Sequence, residues 1–101
     1  MAMSRRSAIT KETAETMAIQ ALAFLATEPE RLGRFLAVTG IGPEGIRSAA
    51  REAYFLAGVL DYLVSDEPLL IAFAAQAGID PADIAHASSV LGRGLREREL
   101  P

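Results

Sequence analysis

Arg31, Arg34, Arg47 and Arg51 lie close together in the first half of the chain. The acid pairs Glu28/Glu30, Asp66/Glu67 and Asp80/Asp83 are spread along it, and His86 is its single histidine. Residues of these types can move protons, hold a metal or bind an anion. Each acid pair, however, falls at a predicted helix start, where capping and the helix dipole account for it at about 1 kcal/mol. His86 is followed by Ser88 and Ser89, and one histidine in a chain without cysteine cannot build a typical zinc site or nucleophile–base pair. The lack of cysteine also excludes disulfides and thiolate chemistry. No phosphate-binding P-loop, dinucleotide fingerprint or calcium loop occurs. The expectation is a non-enzymatic protein with no catalytic residue, metal or cofactor, whose arginines form a basic rim.

Helices must position those residues. Ala14, Met17, Ala18, Ala21, Leu22 and Leu25 recur at spacings of three and four, which predicts a first helix from about Thr10 to Ala26. Thr27-Glu28-Pro29-Glu30 then reads as a new start, with a threonine cap, an early proline and a capping-box glutamate. Gly40 should end that helix in the left-handed conformation. Gly42-Pro43-Glu44 opens a shorter third helix to about Arg51. The same order follows again: a helix over about 53–64, a cap at Ser65 or Asp66 with Pro68 inside, a stop at Gly78, a cap at Asp80, and a helix from Pro81 to Leu91. No alternating strand pattern competes with it.

The recurrence extends to identities. An offset of about 38 residues, in the range of helical repeat units, aligns Leu22 with Leu60, Leu25 with Leu63, Leu32 with Leu70, Phe35 with Phe73, and Ala49 with Ala87. It also aligns Gly40-Ile41-x-Pro43-x-x-Ile46 with Gly78-Ile79-x-Pro81-x-x-Ile84, and pairs Phe24 with Tyr62, Thr27 with Ser65 and Glu28 with Asp66. Two repeat units, 17–50 and 55–88, are expected to pack face to face about a pseudo-twofold axis. The fold class is thus all-α, a compact bundle of six helices formed by two pseudo-symmetric three-helix units. Residues 1–9 are expected to be a flexible start, 10–92 a single helical domain and 93–101 a polar, frayed tail.

The differences between the units suggest where function lies. The 53–64 helix has almost no polar face and should be central and buried, which makes Asp61 an anomaly: a buried carboxylate needs a partner. Arg47 is the candidate for a structural ion pair with Asp61, with Arg34 or Arg51 as alternatives and simple exposure of Asp61 as the plainer outcome. Helix 69–77 opens Leu69-Leu70-Ile71-Ala72-Phe73 and is apolar all round. Either the chain's own termini or another molecule should cover it.

Two segments resemble nucleic-acid motifs. Ala74, Gly78, Ile79 and Ile84 have helix-turn-helix spacing, but the second helix offers Asp83, His86, Ser88 and Ser89, the wrong chemistry for reading base edges. Val38-Thr39-Gly40-Ile41-Gly42-Pro43 looks like half of a helix-hairpin-helix, whose glycines would present N–H groups to a phosphate. Its counterpart has Asp80 in place of Gly42. The 101 residues carry a net charge of -3, which gives no general attraction to nucleic acid or anionic lipid. No signal peptide or membrane-spanning run is expected, and a bacterial, cytoplasmic protein is the default expectation.

Arg34-Phe35-Leu36-Ala37-Val38-Thr39-Gly40-Ile41, Ile46-Arg47, Val59-Leu60-Asp61-Tyr62-Leu63, Asp66-Glu67 and Leu70 together resemble the signature of a small all-helical alphaproteobacterial family classed as a domain of unknown function. The resemblance covers about 14–92 and implies a helical protein with no assigned activity. The function expected is a protein-interaction or self-associating module of unknown pathway. Its contact surface would draw on Leu69, Leu70 and Ile71 or on Arg31, Arg34, Arg47 and Arg51, and its partner would be a protein or a second copy. A nucleic-acid-binding regulator is the alternative, although nucleic acid is not the partner expected. A small-ligand binder or enzyme in the crevice between units comes third.

Overall fold

Side-chain oxygens, prolines and glycines punctuate the chain into helices. A computed structural model describes residues 9–99, and among them every regular element is helical. Thr10 accepts a hydrogen bond from the Thr13 N–H at 3.1 Å and so opens α1, Lys11–Ala26. Pro29 opens α2, Pro29–Thr39, and Gly40 ends it at φ 76°. A short 3-10 turn, Pro43–Gly45, leads into α3, Ile46–Ala49, and α4 is Ala53–Val64. Asp66 caps α5, Glu67–Ala77, by accepting from the Leu69 N–H, and Gly78 ends it at φ 68°. Asp80 Oδ1 accepts from the Ala82 N–H at 2.9 Å at the start of α6, Pro81–Glu99.

Thr27 does not cap α2 as the capping-box pattern predicts. It belongs to the end of α1, where its hydroxyl donates to the Phe24 carbonyl at 2.6 Å, and Glu28 takes the cap position without a side-chain hydrogen bond. The connection is too short for Thr27 to serve both helices. Ser65 behaves likewise at the end of α4, donating to the Asp61 carbonyl and leaving the next cap to Asp66.

The core centres on α4, which packs against α1, α5 and α6, while α1 also contacts α2 and α6. Phe55, Leu56, Val59, Leu60 and Leu63 of α4 meet Ala18, Ala21 and Leu25 of α1 and Ile84, Ala87 and Leu91 of α6 in one buried cluster. The alanines of α1 allow close helix approach. Phe35 and Phe73 are both fully buried, and burial of a side chain of that size contributes about 1.5–3 kcal/mol. Phe35 packs edge-on against Tyr62 at 5.2 Å and Phe55 at 5.7 Å, whereas Phe73 meets Phe24 at 5.4 Å.

The central helix keeps one wet stripe. Tyr54, Gly58 and Asp61, spaced by four and three, are exposed along α4. The desolvation premise for pairing Asp61 therefore fails. Arg47 is exposed too; Arg31 pairs with Glu28, and Asp61 and Arg47 form no ion pair with each other.

The ends also differ from expectation. Ile9 is half-buried and packs against the core; the rest of the expected flexible start, 1–8, lies outside the described residues. Instead of stopping near Leu91, α6 continues to Glu99. Glycine ends a helix when it turns left-handed, and among the described residues only Gly40 and Gly78 have positive φ, so Gly92 and Gly94 lower helix propensity without terminating it. Leu100 and Pro101 lie outside the described residues. Among those described, no helix is long and apolar enough to cross a membrane.

Candidate interaction groove

The start of α5 faces α2 across a groove of about 210 Å³ lined by Arg31, Arg34, Tyr62, Asp66, Pro68 and Leu69. Helix periodicity sets both arginines on one side of α2, three residues apart, with Phe35 turned into the core beside them. Arg31 is held from two sides. Its Cζ lies 4.8 Å from the centre of the Phe24 ring, and its Nε is 3.7 Å from Glu28 Oε1. The stacked contact is worth about 0.5–1 kcal/mol, while an exposed pair like that with Glu28 adds little. Arg34 is exposed and, among the described residues, forms no ion pair. The Asp66 carboxylate, the acid among the lining residues, accepts from the Leu69 N–H at 3.3 Å and so serves the helix end.

Three of the residues expected at a contact surface thus come together here: Arg31, Arg34 and Leu69. The others do not line the groove. Leu70 is half-buried and packs against the core, and Ile71 is exposed on another side of α5. Arg47 and Arg51 stand exposed on α3 and just after it. The apolar all-round α5 is covered in part by the chain's own helices, which bury Phe73 and Ala74 and half-bury Leu69, Leu70 and Ala72.

Tyr62 and Pro68 are not among the residues the sequence marks for a site. Tyr62 carries a signal, however. A tyrosine at the position paired with Phe24 marks a ring whose edge reaches water, since a buried phenol needs a partner for its hydroxyl.

A second depression, of about 280 Å³, lies between α1 and α5. Phe24 and Phe73 form its floor, and Gln20, Ala23, Thr27, Gln76 and Ala77 surround them without any charge. The two hairpins with nucleic-acid likeness present different chemistry. The Glu44 carboxylate lies beside Gly42, with Oε2 3.0 Å from where a Cβ on that glycine would stand, which sets a negative charge at that turn. On α6, Asp83, His86 and Ser88 are half-buried, and Ser89 is exposed.

A family described as "Protein of unknown function (DUF3572)" matches residues 11–94, and the chain belongs to it. No curated protein and no solved structure matches the chain.

Proposed function

We propose that the chain is a non-enzymatic protein-interaction module built from two three-helix units related by a pseudo-twofold axis, and that the α2–α5 groove is its contact surface. The observation that carries the contact surface is the joining of a fixed and a free guanidinium, Arg31 and Arg34, to the apolar wall of Pro68 and Leu69. Arginine and aromatic groups beside a partly desolvated apolar wall are the usual anchors of protein interfaces. The two units draw support from the reciprocal ring pairs, Phe24–Phe73 and Tyr62–Phe35, which exchange under the repeat offset, and from α2 and α5, each 11 residues long and each closed by a left-handed glycine. Nucleic-acid binding draws less support, because the Glu44 carboxylate sets a negative charge beside Gly42 in the glycine-rich turn.

The test is capture from native lysate with mass spectrometry, run beside light scattering of the pure protein. The chain is expected to retain a reproducible protein partner, or to self-associate, and Arg34→Glu should abolish that while leaving the melting transition unchanged. Identical capture and mass for the variant would remove the groove from the account.

A further inference from the structure

The groove is lopsided in charge against the rest of the molecule. The chain carries a net charge of -3, yet the groove is lined by two arginines and one acid, and that acid is engaged by the α5 backbone. Glu28, the other carboxylate in contact with a lining residue, touches only the Nε edge of Arg31, at 3.7 Å, and is itself 59% exposed. Glu67 sits in the first turn of α5 beside Asp66 and is solvated. Asp66 keeps its negative charge while it caps α5 and Glu28 offsets part of Arg31, so the cation left without an ion pair among the described residues is Arg34, and a ligand carboxylate in the groove responds mainly to it.

We infer that the α2–α5 groove binds an acidic peptide segment, its carboxylates met by Arg34 and Arg31 and one apolar side chain resting on Pro68, Leu69 and the Tyr62 ring. This rests on the interaction function proposed above and names the chemistry of the partner. Three observations select a peptide over other anions. The volume, about 210 Å³, falls below the ~300–1,000 Å³ of typical small-molecule sites. Two cations are too few for a duplex, whose affinity comes from neutralising many phosphates. The apolar wall has no use for a sugar–phosphate backbone but suits a leucine-sized side chain. Arg31 is already ordered by its stacking on Phe24, so less side-chain freedom is lost when it meets a carboxylate.

The experiment is amide chemical-shift mapping on the full chain with three probes: a capped peptide alternating glutamate and leucine, its glutamine–leucine analogue, and a duplex DNA of mixed sequence. The acidic peptide should move the amides of Arg34, Tyr62 and Leu69. Its binding should weaken about tenfold in Arg34→Glu, whose unchanged melting transition reports an intact fold. Equal response to the glutamine analogue would overturn acid selectivity while leaving a protein-binding groove standing. Shifts at these amides from the duplex but not from the peptide would overturn both. Concentration-dependent shifts at the same amides with no probe present would place a second copy in the groove and overturn the peptide assignment alone.

Discussion

The third element of each half begins from the same Gly-Ile-x-Pro turn and becomes a different structure. After Gly78-Ile79, Asp80 supplies a cap, Asp83 stands in the first turn where the helix dipole favours an acid, and α6 goes on to bury Ile84, Ala87 and Leu91. After Gly40-Ile41, Gly42 has no side chain to cap with, and Gly45 holds the place of Asp83. The chain passes through a 3-10 turn before α3, a helix of four residues that buries none of them fully. A further constraint acts on the first half: it must turn within Ala50–Glu52 to enter α4. Equal apolar positions therefore do not give equal helices. The cap, the first turn and the need to reach a next helix decide how much of the pattern is used.

Substitutions at paired positions can break or sharpen that comparison. The largest effect is expected from Phe35→Ala and Phe73→Ala. Both rings are fully buried, so each variant should lose about 3–5 kcal/mol in urea unfolding, and by similar amounts. A loss confined to one of them would mean that the halves do not share the core equally. Next come the third elements, where the halves should diverge. Ile84→Ala, at a fully buried site, should cost about 2–5 kcal/mol, and Ile46→Ala, half-buried at the start of α3, clearly less. Equal costs would show that α3 contributes to the core as fully as α6. The smallest effect belongs to the stripe on α4. Asp61→Ala should leave the denaturation midpoint where it is, and combining it with Arg47→Ala should reveal no coupling, because both side chains are in water.

Helix boundaries are the most legible property of the sequence, because they rest on local chemistry: Pro29, Gly40, Gly78 and Pro81 each act within a turn of their own position. The central role of α4 is also legible from its apolar content. Its wet stripe is not, since so apolar a helix hides the four-and-three spacing of Tyr54, Gly58 and Asp61. The length of α6 stays hidden for a similar reason: sequence alone does not say whether a glycine adopts positive φ. At the site, the arginine pair on α2 and Leu69 are recognisable by type. That they meet Tyr62 and Pro68 in one groove depends on how α2 lies against α5, which no local pattern encodes, and the same packing leaves Arg47, Arg51 and Ile71 elsewhere.

The proposed pairing of two units is tested most directly by double-mutant cycles on the two ring pairs that exchange under the repeat offset, Phe24→Leu with Phe73→Leu and Tyr62→Leu with Phe35→Leu. At separations of 5.4 and 5.2 Å, each pair should show a coupling of about 0.5–1.5 kcal/mol, the same for both within error. Coupling in one pair and simple additivity in the other would contradict two units closing on each other through equivalent contacts.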